Sequence, residues 1–142
     1  MNSNRIVLII DDDDDDRSLF SDALEEVNNT VMCVSVADGQ EGLEILRDAR
    51  LELPDLIFLD LNMPRLNGKQ CLEEIKKIPG LAHIPVIMYS TTKRIEDVEE
   101  TRKLGAAYFL TKPALFNDIC QAIKMLLDIK WEKNTPYRKS IV

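Results

Sequence analysis

Three carboxylates, a hydroxyl and an ammonium group stand directly behind apolar segments of this sequence. Asp11 and Asp12 follow residues 5–10, Asp60 follows residues 55–59, Ser90 follows residues 84–89, and Lys112 comes just after residues 107–110. Clustered carboxylates repel one another and raise each other's pKa values unless a cation lies among them. Mg²⁺ suits such a cluster, because it uses one or two protein carboxylates and keeps water or phosphate oxygens for its other positions.

The same side chains could also handle a phosphoryl group. A metal ion, the ammonium of Lys112 and the hydroxyl of Ser90 can share the phosphoryl oxygens and stabilise the charge that spreads over them during transfer. The carboxylate of Asp60 could then act as the nucleophile and form an acyl phosphate. These residue types therefore favour phosphoryl transfer to an aspartate.

Five apolar runs alternate with five helical patterns, and this order predicts how the polar residues meet. The predicted strands cover residues 5–10, 31–36, 55–59, 84–89 and 107–110, and the predicted helices cover residues 18–27, 42–49, 69–77, 94–104 and 115–127. Strict alternation is typical of a parallel sheet with right-handed crossovers and helices on both faces. We therefore expect an open, doubly wound α/β domain, in which ligands bind beyond the carboxyl ends of the strands.

Length and charge restrict the class of protein. The 142 residues suffice for one domain, placed at residues 1–128, followed at 129–142 by a basic tail with four Lys or Arg and one Glu. A net charge of −7 argues against direct binding to nucleic acid. No apolar run approaches the ~20 residues of a membrane span. Three cysteines without a C-x-x-C pattern favour reduced thiols and a cytoplasmic location.

The acidic run at residues 11–16 also admits simpler interpretations. Asp13 to Asp16 favour a solvated patch at the start of a helix, where negative charge is stabilised. A calcium-binding loop that starts at Asp11 is excluded, because its sixth position is Asp16 instead of Gly and its twelfth is Asp22 instead of Glu. Of this run, only Asp11 and Asp12 are predicted to belong to the site.

Four sequence segments together resemble the CheY-like receiver domains of two-component response regulators. They are IIDDD at 9–13, FLDLNMPRLNG at 58–68, IPVIMYST at 84–91 and GAAYFLTKP at 105–113. The resemblance covers residues 5–128 and is closest to the single-domain regulators associated with phytochrome-type sensor kinases. It implies a flavodoxin-like, five-stranded parallel sheet with the strand order 2-1-3-4-5.

The resemblance implies a role for each polar residue at the strand ends. Asp60 would be the phosphoacceptor, Asp12 a direct Mg²⁺ ligand, Asp11 an acid that holds the ion through water, and Asn62 a ligand through its backbone carbonyl. Ser90 would move to bind a phosphoryl oxygen, and Lys112 would pair with the phosphoryl group.

The resemblance also implies residues that take part in switching and residues that set the lifetime of the phosphorylated state. Phe109 lies where the family has an aromatic residue that turns inward on phosphorylation. Asn62 and Thr92 occupy the positions that tune the lifetime of the acyl phosphate. The bond between Lys112 and Pro113 resembles one that is cis in the family, and X-Pro is the bond at which cis is accessible.

By resemblance, the protein is expected to be a phosphorylation switch and not an enzyme with a small-molecule substrate. It would catalyse its own phosphorylation and dephosphorylation, with a sensor histidine kinase or a histidine phosphotransfer protein as the donor. Its output would be contact with a downstream protein, without direct binding to nucleic acid or membrane. The face formed by residues 94–128 would bind that partner or a second copy of the chain.

Two alternatives belong to other functional classes. A haloacid-dehalogenase-like phosphohydrolase also places an Asp nucleophile after an apolar strand, as FLDLN does here. In that class, however, the nucleophile follows the first strand and a second Asp stands two residues later, where this chain has Asn62. The other alternative is a scaffold that keeps the receiver fold but is never phosphorylated, which absence of Mg²⁺ binding would favour.

Overall fold

The computed structural model describes residues 5–131 of the chain. The elements are β1 (Ile6–Ile10), α1 (Asp14–Val27), β2 (Met32–Val36), α2 (Gly39–Arg47), β3 (Leu56–Leu59), α3 (Gly68–Lys77), β4 (Val86–Ser90), α4 (Ile95–Lys103), β5 (Tyr108–Thr111) and α5 (Phe116–Asp128). Each predicted strand and helix is present, and only the ends of the elements differ from the expected positions.

The strands form one sheet in the order β2-β1-β3-β4-β5, and all neighbouring strands are parallel. This confirms the doubly wound α/β fold. β1, β3 and β4 lie inside the sheet with every residue buried, which explains their unbroken apolar runs. Because the strands are parallel, their carboxyl ends meet at a single edge, where the predicted site residues stand.

Alternate residues of the strands point to opposite faces of the sheet and form two separate hydrophobic cores. Leu8 and Ile10 point to the face covered by α2 and α3, where Phe109 is also buried. Val7 and Ile9 point to the opposite face, which packs against α1 and α5. Burial of a large apolar side chain contributes about 1.5–3 kcal/mol. The paired cores therefore fix the sheet edge on which the polar residues lie.

The first helix begins at Asp14, four residues before the apolar periodicity becomes visible at Ser18. Asp13 is its N-cap, and the Asp13 carboxylate accepts a hydrogen bond from the backbone N–H of Asp16 at 2.9 Å. Carboxylates at a helix start pair with unbonded N–H groups and with the positive end of the dipole. The acidic run therefore starts the helix, as well as carrying charge into the site.

The C-terminal end of the domain carries a short segment beyond α5. The indole N–H of Trp131 donates to the carbonyl of Leu126 at 3.1 Å and so satisfies one of the last carbonyls of the helix. Residues 132–142 lie outside the described residues, so most of the predicted basic tail stays a prediction. Within residues 5–131, no helix combines the length and apolar character needed to cross a membrane.

Candidate functional site

The ends of β1 and β3 bring three carboxylates together. Asp11, Asp12 and Asp60 each offer an oxygen, and these oxygens all lie within 4.8 Å of one another. Asp11 is fully buried and Asp60 is 6% exposed, whereas Asp12 is open to solvent. The structure thus produces the convergence that the sequence predicts, with one carboxylate facing the solvent and two facing inward.

Backbone hydrogen bonds fix the position of Asp60. Its N–H donates to the carbonyl of Ile10 at 2.9 Å, which continues the pairing of β1 with β3. On the other side, the N–H of Gly68 donates to the carbonyl of Leu61 at 2.8 Å. A Cβ atom at Gly68 would overlap the carbonyl oxygen of Asp60 and lie 2.6 Å from Cα of Leu61. Glycine is therefore required for α3 to start directly against the Asp60 backbone.

Lys112 reaches the carboxylates from the end of β5. Its Nζ lies 2.8 Å from Oδ2 of Asp11, 2.7 Å from Oδ2 of Asp16 and 3.7 Å from Oδ1 of Asp60. The Lys112 side chain is only 9% exposed, and its Nζ lies 5.4 Å from the centre of the Tyr89 ring. The ammonium therefore occupies a largely enclosed position with several negative neighbours.

The carboxyl group of Asp60 is held in an environment that opposes its ionisation. Burial raises its pKa from 3.8 to about 7, and the negative charges of Asp11 and Asp12 add to this effect, while Lys112 lowers the pKa. Burial also raises the pKa of Asp11, against the lowering effect of its contacts with Lys112 and with the N–H of Asp13. A cation among these groups would therefore be bound favourably.

The environment of Lys112 favours its charged form, in contrast to that of Asp60. Burial alone lowers its pKa, but hydrogen bonds to Asp11 and Asp16 and the charge of Asp60 raise it above the ordinary lysine value. The side chain therefore stays charged at neutral pH. A permanently charged ammonium at this place can pair with an anion that forms on Asp60.

The residues present fit a divalent cation. All three converging groups offer oxygen, the ligand type preferred by Mg²⁺. Lys112 is the positive group that contacts this cluster, and its ammonium is divided among Asp11, Asp16 and Asp60. One ammonium leaves the three converging carboxylates with an excess of negative charge, which a divalent ion would neutralise.

Ser90 is fully buried and is the last residue of β4, which therefore ends one position later than the residue 89 expected from the sequence. Its carbonyl accepts from the N–H of Lys112 at 2.8 Å, so the two residues lie side by side across β4 and β5. Its hydroxyl oxygen accepts from the N–H of Thr92 at 3.3 Å. Thr92 is half-buried, and its own hydroxyl donates to Asp97 at 3.2 Å.

Two further predicted positions belong to the site implied by the sequence. Asn62 is exposed two residues after Asp60, and the use of its carbonyl as a ligand stays a prediction. Phe109 is already fully buried between the sheet and its covering helices, so its inward movement also stays a prediction.

The prediction of a cis peptide bond before Pro113 is wrong. No peptide bond of the described residues is cis, and the bond between Lys112 and Pro113 is trans. An intrinsic difference of about 0.5–1 kcal/mol separates the isomers of such a bond and favours trans. The cis expectation came from family resemblance alone, because no residue pattern in the sequence fixes the isomer.

Asp16 is the residue of this site that the sequence prediction missed. The sequence favoured a solvated patch for it, but its carboxylate is half-buried and pairs with Lys112. No local sequence signal was available for this contact, because Lys112 lies 96 positions further along the chain.

The comparisons with known proteins agree with this geometry. Residues 7–124 match the family model described as response regulator receiver domain. DctR of Bacillus subtilis, a probable C4-dicarboxylate response regulator, is 30% identical over 118 residues, which make up 83% of this chain and 50% of that protein. The chain thus spans half the length of DctR. The response regulator Rcp1 of Synechocystis sp. is 28% identical over 127 residues, covering 87% of this chain and 86% of Rcp1.

Solved structures show the same likeness. The phosphorylated cyanobacterial phytochrome response regulator RcpA superimposes with a TM-score of 0.80 at 32% identity, covering 87% of this chain and 91% of that one. The Mn²⁺-bound form of Rcp1 superimposes with a TM-score of 0.78 at 26% identity, covering 89% of this chain and 98% of that one. One relative is thus known in a phosphorylated form and another with a divalent metal.

Proposed function

Because this chain belongs to the response regulator receiver domain family, we propose that it is a signalling switch that accepts a phosphoryl group on Asp60. The observation that carries the proposal is the cluster of Asp11, Asp12 and Asp60, which Lys112 faces from the end of β5. This arrangement provides a nucleophile, oxygens for a divalent cation and a fixed positive charge. Together these are the groups that phosphoryl transfer to a carboxylate requires.

In the proposed transfer, a carboxylate oxygen of Asp60 attacks the phosphorus of a phosphohistidine or a small acyl phosphate. A new O–P bond forms, the bond from phosphorus to the donor breaks, and its electron pair leaves with the donor. Mg²⁺, held by Asp12 and Asp60 with Asp11 acting through water, would neutralise charge on the phosphoryl oxygens. Asn62 would add its backbone carbonyl to this ligand set.

The neighbouring residues of this chain would then stabilise the acyl phosphate. Lys112, now 3.7 Å from Asp60, can follow the new negative charge with a small movement of its flexible side chain. Ser90 can turn its hydroxyl from Thr92 towards a phosphoryl oxygen. Since Asp60 is 6% exposed, few water molecules can reach the carboxyl carbon.

The raised pKa of Asp60 links the metal to the reaction. An uncharged carboxyl is a poor nucleophile, and burial together with Asp11 and Asp12 holds the pKa of Asp60 at about 7. Positive charge bound among the carboxylates would lower that pKa and restore the reactive carboxylate. The metal would therefore be needed before the attack, as well as during it.

Release of phosphate would occur at the same site by hydrolysis of the acyl phosphate. Asn62 is exposed two residues after Asp60, and Thr92 is half-buried two residues after Ser90. We propose that these two side chains set the lifetime of the acyl phosphate. The protein would thus catalyse its own phosphorylation and dephosphorylation without turning over an external substrate.

The proposed donor is a sensor histidine kinase or a histidine phosphotransfer protein. Support comes from the family and from the relatives RcpA and Rcp1, of which RcpA is a phytochrome response regulator. A phytochrome-associated kinase is therefore the proposed partner class. Leu115 and Phe116, which follow Lys112 closely in the chain, are 66% and 39% exposed and offer an apolar surface beside the site.

The proposed output is contact with another protein through the face formed by residues 94–128. Three large apolar side chains in this stretch are exposed, those of Ile95, Leu115 and Phe116, which supports its use as a contact surface. A downstream protein or a second copy of the chain would bind this face. Light scattering with and without a phosphoryl analogue separates these two outcomes.

Neither rival function has support in the structure. Asp60 follows β3 instead of β1, and Asn62 occupies the place of the second Asp of dehalogenase-like phosphohydrolases. The proposed function is tested by incubation with acetyl phosphate and Mg²⁺, followed by measurement of covalent phosphate on Asp60. Steady turnover of small phosphoesters would support the hydrolase, and absence of both labelling and Mg²⁺ binding would support the scaffold.

A further inference from the structure

Asp97 is a buried carboxylate on α4 that the proposed phosphoryl chemistry does not use. The buried residues of α4 are Asp97 and Thr101, both polar. The hydroxyl of Thr101 donates back to the carbonyl of Asp97 at 2.9 Å. The α4 helix also starts without a side-chain cap, since Arg94 at its N-cap makes no such hydrogen bond. Partly buried Val98 packs against the core, and polar contacts from Asp97 add to the attachment of α4.

The two oxygens of Asp97 have different partners. Oδ1 accepts from Nζ of Lys69 on α3 at 2.8 Å, and Oδ2 accepts from the hydroxyl of Thr92 in the β4–α4 loop at 3.2 Å. Glu100 also lies 3.2 Å from Nζ of Lys69, but its side chain is 59% exposed against 13% for Asp97. Asp97 is therefore the enclosed partner of Lys69 and the junction between three parts of the chain.

One arm of this junction leads to the backbone of Asp60. Lys69 directly follows Gly68, whose N–H donates to the carbonyl of Leu61 at 2.8 Å. Since α3 starts against Asp60 and Leu61 with no room for a Cβ at Gly68, the backbone of Lys69 cannot move independently of the phosphoacceptor strand. The ion pair between Lys69 and Asp97 therefore fixes the position of α4 relative to β3.

The other arm leads to the hydroxyl of Ser90. The N–H of Thr92 donates to Oγ of Ser90 at 3.3 Å, and the hydroxyl of Thr92 accepts from the N–H of Arg94 at 3.3 Å. If Ser90 turns its hydroxyl towards a phosphoryl group, the N–H of Thr92 loses this acceptor. The loop at residues 91–94 must then readjust, and the contact between Thr92 and Asp97 is the one that resists this.

We propose that Asp97 is a positioning residue that latches α4 and the β4–α4 loop in the resting arrangement. Through Lys69 and Thr92, it would set how much free energy the switch at Asp60 requires. This inference rests on the proposed function of Asp60. A contact that is present in one of two states shifts their equilibrium by its own free energy, so release of the latch favours the switched state.

The test measures the affinity for beryllium trifluoride with Mg²⁺, because this anion becomes tetrahedral when it binds a carboxylate oxygen and then mimics a phosphoryl group. Asp97→Asn and Lys69→Met remove the ion pair from either side. Each is expected to bind the analogue roughly fivefold more tightly than the unmodified protein, the low end of typical coupling between sites. The double variant should gain no more than either single one, because both remove the same interaction.

A second readout separates a latch from general destabilisation. Amide chemical shifts of residues 91–103 are recorded by NMR for the free protein, the protein with the analogue and each variant without it. If Asp97 holds the resting state, the signals of the free variants move along the line from the free to the analogue-bound spectrum. A merely loosened helix would move them in other directions.

Glu96→Gln is the matched control. Glu96 lies in the same first turn of α4 but is 65% exposed and is paired only with Arg94 at 3.9 Å among the ion pairs of the described residues. The Glu96→Gln substitution removes one negative charge from the same end of α4, as Asp97→Asn does, and should leave the affinity for the analogue unchanged. If Glu96→Gln raised the affinity for the analogue as much as Asp97→Asn does, the effect would come from the charge of the helix, and the latch would be wrong.

The outcomes distinguish this inference from the function on which it rests. If the unmodified protein binds the analogue and Asp97→Asn and Lys69→Met bind it equally or less well, the latch is wrong and the phosphoacceptor proposal stands. If the unmodified protein fails to bind the analogue at all, the proposed function itself has failed. Tighter binding in both variants, with non-additivity in the double variant, supports the latch.

Discussion

Lys112 and Asp16 form a 2.7 Å ion pair across the site although 96 positions separate them in the chain. The same ammonium lies 3.7 Å from Asp60, so Lys112 rests nearer to Asp16 than to the phosphoacceptor. Asp16 therefore competes with Asp60 for the only positive charge that touches the cluster among the described ion pairs. Phosphorylation of Asp60 would shift this competition, because a phosphoryl group carries more negative charge than a carboxylate.

Removal of this competitor should speed phosphorylation. In Asp16→Asn, Lys112 can approach Asp60. We expect the initial rate of phosphorylation by acetyl phosphate to rise about 2- to 5-fold, which corresponds to the free energy of a partly exposed ion pair. Asp15→Asn is the control, because it removes the same charge from the next, exposed residue. An equal rate increase in both variants would show that general repulsion of the donor, and not the position of Lys112, is responsible.

Divalent metal should stabilise the folded protein. Mg²⁺ that binds the three carboxylates in the native state adds about 1.4 kcal/mol at ten times its dissociation constant, or about 3–6 °C in Tm for a domain of this size. Thermal unfolding with increasing Mg²⁺ measures this shift. Asp11→Asn should reduce it and Asp15→Asn should retain it. An unchanged Tm for the unmodified protein at millimolar Mg²⁺ would contradict the metal site.

Without metal, Asp60 should make the protein less stable as the pH rises. Its pKa is raised from 3.8 to about 7, so in this interval the native state keeps a proton that the unfolded state has lost. The free energy of unfolding then falls with increasing pH, by about 2–4 kcal/mol across the interval. Chemical denaturation in the presence of a chelator checks this. Asp60→Asn should lack this part of the pH dependence, and an identical slope in both proteins would refute it.

The start of α3 should tolerate no side chain at Gly68. In Gly68→Ala the new Cβ meets the backbone of Asp60 and Leu61, which cannot move without disturbing β3, so we expect a loss of about 1–3 kcal/mol in stability. Gly39→Ala is the comparison, because Gly39 also starts a helix and the nearest atom to its Cβ would be a flexible Leu66 methyl at 3.1 Å. A smaller loss for Gly68→Ala than for Gly39→Ala would contradict this packing.

The sequence carries most of the information about the fold. Strands such as β1 and β3 are buried on both faces, so their composition is apolar throughout and stands out against the amphipathic helices. Their alternation with helices leaves few topologies, and the family resemblance adds the strand order. Ends of elements were less predictable, because they depend on single contacts such as the Asp13 cap of α1 and the pairing of Ser90 with Thr111.

The site was predictable only where a residue follows a buried strand. Asp11 and Asp60 satisfy that condition, so their convergence follows from topology alone. Asp16 and Asp97 do not, because each is placed by a helix whose rotation is set by tertiary packing. Their partners, Lys112 and Lys69, lie 96 and 28 positions away, and no local pattern connects residues so far apart.

The central claim is that Asp60 accepts a phosphoryl group, and intact-protein mass spectrometry tests it most directly. The unmodified protein and Asp60→Asn are incubated with acetyl phosphate and Mg²⁺, with and without a chelator. We predict the mass of one added phosphoryl group in the unmodified protein with Mg²⁺, and none in Asp60→Asn or with the chelator. Equal labelling of Asp60→Asn would contradict the account, because the phosphoryl group would then reside on another residue.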